Sequence, residues 1–78
     1  MIDVKPDVTL DCKGLSCPMP IIKMKAELKK MKSGQILLTL GTDPGTKNDI
    51  PGMCKKEKHE LIGIEEEGGI IKFYIKKG

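Results

Sequence analysis

Arginine and tryptophan are absent from this 78-residue sequence, and its aromatic side chains are reduced to Phe73 and Tyr74. All 14 basic residues are therefore lysines. Arginine grips phosphates and guanine edges with a bidentate fork, so its absence counts against direct, specific nucleic-acid binding. Two aromatics are too few for a base-stacking platform. Weak electrostatic contact with an RNA or an acidic protein stays open at a net charge of +3. No apolar run approaches the roughly 20 residues that a membrane helix needs. The start, Met1-Ile2-Asp3-Val4-Lys5-Pro6, carries an acid and no apolar stretch. That is not a secretory pattern, so a cytoplasmic protein without membrane contact is expected.

Histidine is limited to His59, and Cys12, Cys17 and Cys54 lie five and 37 positions apart. Those spacings match no common zinc pattern, so no metal and no cofactor is expected. Three is an odd number of cysteines, which points to free thiols rather than a disulfide scaffold. The length fits one domain over residues 1–78, with about residues 1–6 frayed, and a monomer is expected. A chain of this size buries only about 60% of its unfolded surface, which leaves little room for a deep enclosed site. Chemistry should sit at the surface and use few residues.

Val8-Thr9-Leu10-Asp11-Cys12 alternates apolar and polar residues, as a first strand would. Lys13-Gly14-Leu15-Ser16 turns the chain into Cys17. From Pro18 to Lys32, Ile21, Met24, Leu28 and Met31 form one helical stripe among lysines, and Ser33-Gly34 ends it. Gln35–Leu40 is a nearly continuous apolar run that suits a buried strand, which makes a βαβ unit with parallel strands. Asp43-Pro44-Gly45 signals a turn. Asp49 reads as the N-cap of a second helix running to about Glu60, with Ile50 and Pro51 in its first turn and Ile50, Met53 and Cys54 on its apolar side. Leu61–Glu66 and Ile70–Lys76 flank Gly68-Gly69 as a hairpin, with Ile71, Phe73 and Ile75 facing inward. The expected fold is α+β, a two-layer α/β sandwich of order β-α-β-α-β-β. Two helices cover one face of a four-stranded mixed sheet.

The run Cys17-Pro18-Met19-Pro20 carries the chemistry. With Cys17 at the helix start, Pro18 falls at N1 and Pro20 at N3, where missing N–H groups cost the helix little. The prolines stiffen the first turn, while its remaining free donors and the positive dipole end favour a thiolate at Cys17. Cys12 and Cys54 read as inward-facing. His59 reads as a helix-end residue, and Asp43 and Asp49 as turn and cap.

Leu10-Asp11-Cys12-Lys13-Gly14-Leu15-Ser16-Cys17-Pro18-Met19-Pro20 resembles the signature of the TusA/SirA-like sulfur-carrier family. The resemblance continues through Asp43-Pro44, Asp49-Ile50-Pro51, Cys54 and His59-Glu60-Leu61. It implies a small two-layer protein, a sulfurtransferase acting stoichiometrically in a relay. Cys17 would accept a sulfane sulfur as a persulfide, positioned by Pro18 and Pro20. The donor would be a cysteine desulfurase or a rhodanese-like protein. A further protein would be the acceptor, serving tRNA thiolation, molybdenum-cofactor sulfur supply or sulfur metabolism. Cys12 departs from the pattern, since members often have another residue there. Two other readings stand beside this one: a redox or regulatory module using Cys12 and Cys17, and a small RNA-binding module. The lysines of the first helix read as a solvent face or as a docking surface for an acidic partner.

Overall fold

A computed structural model describes residues 4–16 and 18–78. Its elements are β1 (Val8–Cys12), α1 (Met19–Lys30), β2 (Ile36–Gly41), α2 (Thr46–Lys56), β3 (Glu60–Glu67) and β4 (Ile70–Lys76). The sheet order is β1-β2-β4-β3. β1 and β2 pair in parallel, and the two remaining pairs are antiparallel. The expected architecture is therefore present, element for element.

Register explains the core. Cys12, Gly41 and Ile71 stand in one row, Leu10, Thr39 and Phe73 in the next, and Val8, Leu37 and Ile75 in a third. Alternation sends these residues to one face. That face packs against Met24 and Leu28 of α1 and Ile50, Met53 and Cys54 of α2. Of the expected α1 stripe, Met24, Leu28 and Met31 are buried, and Ile21 is half-buried against them. Each fully buried large aliphatic or aromatic side chain contributes about 1.5–3 kcal/mol relative to exposure. Thr39 is the polar exception: its hydroxyl is buried without a hydrogen-bond partner.

The opposite face is open, yet Tyr74 is only 8% exposed on it. The register sets Tyr74 between Leu38 and Gly63. A glycine beside an aromatic on a paired strand leaves room for the ring to lie across it. The hairpin turn is Gly68-Gly69, both with positive φ (59° and 82°), as a two-residue turn between twisted strands demands.

Both helices differ from expectation at their ends. The N–H of Ile22 donates to the Pro18 carbonyl at 3.1 Å, which makes Pro18 the N-cap and places Pro20 at N2. The expected positions, N1 and N3, are thus each one step too far into the helix. α2 starts at Thr46, not after Asp49, and Pro51 lies inside it. Asp43 is the reason: its Oδ1 accepts the Gly45 N–H at 3.0 Å and its carbonyl accepts the Thr46 N–H at 3.1 Å, so the turn runs directly into the helix. α2 also stops earlier, at Lys56. Lys58 takes a left-handed φ of 62°, and the His59 N–H reaches back to the Cys54 carbonyl at 2.8 Å. That 6→1 bond, with Lys58 N–H on the Lys55 carbonyl, is a Schellman closure.

α1 and α2 each follow a strand of the parallel pair, so both begin where β1 and β2 finish. The molecule consequently has a loop end, holding both helix starts, and an opposite end where both helices stop.

Candidate functional site at the start of the first helix

The loop end is assembled from four short segments. After β1, Asp11 Oδ1 accepts the Lys13 N–H at 2.9 Å and the Cys12 carbonyl accepts the Leu15 N–H at 3.2 Å. Gly14 sits at a φ of +82°, in the left-handed region that favours glycine. Its N–H donates to Thr42 Oγ1 at 2.9 Å, which fastens this loop to the segment after β2. The Met19 N–H then donates to the Ser16 carbonyl at 3.0 Å, and α1 begins.

Cys17 lies outside the described residues. Its two neighbours along the motif are placed very differently. Pro18 is exposed at the surface, whereas Pro20 is fully buried under the helix start. Pro20 therefore anchors the first turn into the core, and Pro18 fixes the chain where it enters that turn. The donor supply is smaller than the motif suggests. Pro18 and Pro20 carry no N–H, and Met19 gives its own to Ser16. Of positions 18–21, at most the Ile21 N–H can face a group ahead of the helix.

The two described thiols are unsuited to nucleophilic work. Cys12 has no exposure, and burial pushes its pKa up; the Lys23 charge opposes this and the Asp11 charge adds to it. Cys54 is 2% exposed, and burial pushes its thiol up to about 11. A thiol held neutral is a weak nucleophile, since the thiolate is the attacking species. Both inward readings hold. Among the described residues no group of three or more His, Cys, Asp and Glu side chains is placed to hold a metal ion. No helix among them is long and apolar enough to cross a membrane.

Two residues escaped the sequence reading. Thr42 secures the loop, and Lys23 acts electrostatically on Cys12. Thr42 could have been found from topology: in a parallel pair the residue after β2 lies beside the residue after β1. Lys23 resembled every other solvent-face lysine, and nothing in the sequence singled it out.

Outside the core, α1 carries a second stripe. Met19 and Ile22 are 44% and 53% exposed, and Ala26 continues the line. Ile22, Lys25, Ala26 and Lys29 line a shallow depression closed on its far side by Glu57.

Comparison with known proteins agrees with this picture. YrkI of Bacillus subtilis, a candidate sulfur carrier protein, is 47% identical over 75 residues, covering 96% of this chain and all of its own. The sulfur carrier protein TusA of Pseudomonas entomophila is 39% identical over 77 residues, covering 99% of this chain and 96% of its own. The crystal structure of a SirA-like protein from Desulfitobacterium hafniense superposes with a TM-score of 0.81, covering 91% of this chain and 97% of that one. At 23% identity that likeness speaks for the fold alone. The family described as sulfurtransferase TusA matches residues 8–77, and the chain belongs to that family.

Proposed function

We propose that this protein is a sulfur carrier that holds a sulfane sulfur as a persulfide on Cys17 and passes it to an acceptor protein. The observation that carries the reading is the state of the other thiols. Cys12 and Cys54 are buried with raised pKa values, so of three cysteines only the one in the Cys-Pro-x-Pro run is left for exchange. Membership of the sulfurtransferase family and the carrier names of its relatives support the same role.

The chemistry balances without a cofactor. The Cys17 thiolate attacks the outer sulfur of the donor's persulfide, the donor's S–S bond breaks, and the donor leaves as a thiolate. Cys17 becomes Cys17–S–SH. An acceptor thiolate then attacks that outer sulfur and releases the Cys17 thiolate. No net oxidation occurs, and the pKa values of nucleophile and leaving group govern both rates. Pro18 and Pro20 act as positioning residues, directing the side chain of position 17 rather than touching sulfur.

Donor and acceptor must reach the same thiol in turn, and the stripe Met19–Ile22–Ala26 starts two residues from it. Exposed aliphatic surface flanked by Lys25 and Lys29 suits a partner with an apolar contact and acidic neighbours. The redox reading asks Cys12 to resolve a bond to Cys17, and a sulfur with no solvent exposure is poorly suited to that task.

Incubation with a persulfide-loaded cysteine desulfurase, followed by intact and peptide mass spectrometry, tests the assignment. One added sulfur atom on Cys17, lost in Cys17→Ser, is expected. In the native protein iodoacetamide should modify one cysteine, and all three after unfolding. Sulfur on Cys12 or Cys54 would sink the assignment.

A further inference from the structure

The lysines are not spread evenly. Lys29, Lys30 and Lys32 close α1, and Lys55, Lys56 and Lys58 close α2. Lys76 and Lys77 end β4, and Lys5 precedes β1. Because both helices stop at the same end, these nine lysines meet there, and the acids beside them among the described residues are Asp7, Glu57 and Glu60. The loop end has the reverse balance: Lys13, Lys23, Lys47 and Lys72 against Asp11, Asp43, Asp49 and Glu65-Glu66-Glu67.

Main-chain and side-chain bonds hold the lysine end together. The Gly34 N–H donates to the Lys77 carbonyl at 2.9 Å, and the Lys77 N–H to the Gln35 carbonyl at 2.8 Å. Ser33 Oγ donates to the Gly78 carbonyl at 3.1 Å, and the Gly78 N–H to His59 Nδ1 at 3.0 Å. Asp7 and Ile36 exchange bonds at 2.8 Å, bringing the segment of Lys5 alongside. The charges thus belong to one surface built from four segments.

Lysines at helix C-termini have an ordinary explanation, since they offset the negative dipole end. That accounts for the α1 and α2 groups but not for Lys5, Lys76 and Lys77, which stand on no helix. A protein partner is also a poor fit. Protein interfaces favour arginine, aromatic and aliphatic anchors and are depleted in lysine. Of the exposed large hydrophobics among the described residues, Met19 and Ile64 lie elsewhere, and Ile22 reaches this surface only at its edge, in the depression shared with Lys29 and Glu57. Lysine is a point charge that meets phosphate oxygens without demanding a fixed geometry. A lysine-only surface lacking stacking rings matches backbone contact without base readout.

We propose that the lysine end is a docking surface for the phosphate backbone of folded RNA, bound without sequence preference. It lies opposite the motif of Cys17, so an RNA held there leaves the start of α1 free. The proposal is independent of sulfur carriage, and the two can fail separately.

Fluorescence anisotropy with a labelled RNA hairpin, over a series of salt concentrations, tests it. Contact with about four phosphates gives a log–log salt slope near −3.6, so binding weakens about 100-fold between 50 and 200 mM salt. The triple variant Lys32→Gln, Lys55→Gln, Lys77→Gln should lose about three units of that slope. The charge-matched variant Lys13→Gln, Lys23→Gln, Lys25→Gln should keep it. Circular dichroism confirms that both fold, and sulfur loading of Cys17 is followed in parallel as a separate readout. Equal losses in the two variants would mean diffuse attraction and would overturn the proposal. Tighter binding to polyglutamate or to anionic lipid vesicles than to RNA would do the same, as would no RNA binding at 50 mM salt.

Discussion

The two ends of this small sandwich are fastened by the same kinds of bond and differ in what their surfaces carry. At the loop end the chain is held by particular side chains in particular places: Asp11 on Lys13, Thr42 on Gly14, Asp43 on Gly45, and Pro20 driven into the core. At the lysine end side chains hold the chain as directly, Gln35 on Lys32, Asp7 on Ile36, and Ser33 and His59 on Gly78, while eight of its nine lysines stay exposed. One end fixes the path of the chain into α1. The other assembles a field. The contrast teaches that the same two helices contribute a stiffened start to one surface and a charged finish to another.

The largest effect expected from breaking this contrast is at Gly14. A Cβ there would meet no atom within 4 Å, so Gly14→Ala carries no clash. The cost is conformational, because φ is +82°. It should be about 1–2 kcal/mol in urea unfolding. The Gly14–Thr42 bond aligns the loop that leads into Cys17, so sulfur loading should also slow. Unchanged stability would show that the loop can take another path, and that its rigidity is not a property of this end.

The mirror experiment lies at the lysine end, where Lys58 occupies a left-handed position that glycine normally takes. Lys58→Gly should therefore stabilise the protein by about 0.5–1 kcal/mol, with a higher urea midpoint and an unchanged m-value. Loss of stability instead would mean that the Lys58 charge or stem contributes more than its backbone strain costs.

How much of this was readable beforehand follows the same division. Patterns set by a period came through: the stripe Met24–Leu28–Met31, the inward set Ile71–Phe73–Ile75, and the Gly68-Gly69 turn. The start of α2 did not, because Asp49 has the look of a cap and Asp43 only of a turn residue, whereas in the fold the Asp43 turn runs straight into the helix with Gly45 as N-cap. Nor did the poverty of donors ahead of α1. The prolines were visible, but the capture of the Met19 N–H by Ser16 is a consequence of the turn. Charge showed the reverse failing. Fourteen lysines are plain in the sequence, while the gathering of nine of them at one end appears only when strand order and helix direction are known.

The smallest effect concerns His59, and it probes whether the lysine end feels its own field. Burial lowers the His59 pKa, the Lys77 charge lowers it further, and Glu57 works the other way. Its Nδ1 accepts the Gly78 N–H, a bond lost when that nitrogen is protonated. With a folded pKa below the unfolded one, the unfolded chain takes up the proton first on acidification. Stability is then fully present above the unfolded pKa, near 6.5, and falls as pH drops through the folded value. His59 is the sole histidine, and carboxylates titrate mainly below about pH 5. A decline in the urea midpoint from pH 7 towards pH 5.5, abolished in His59→Gln, is therefore attributable to this residue. Salt separates the causes. The Lys77 contribution is screened at 0.5 M salt while burial is not, so most of the decline should persist there. If the decline vanished in salt, the field of the lysine end, rather than burial, would be the dominant influence on His59.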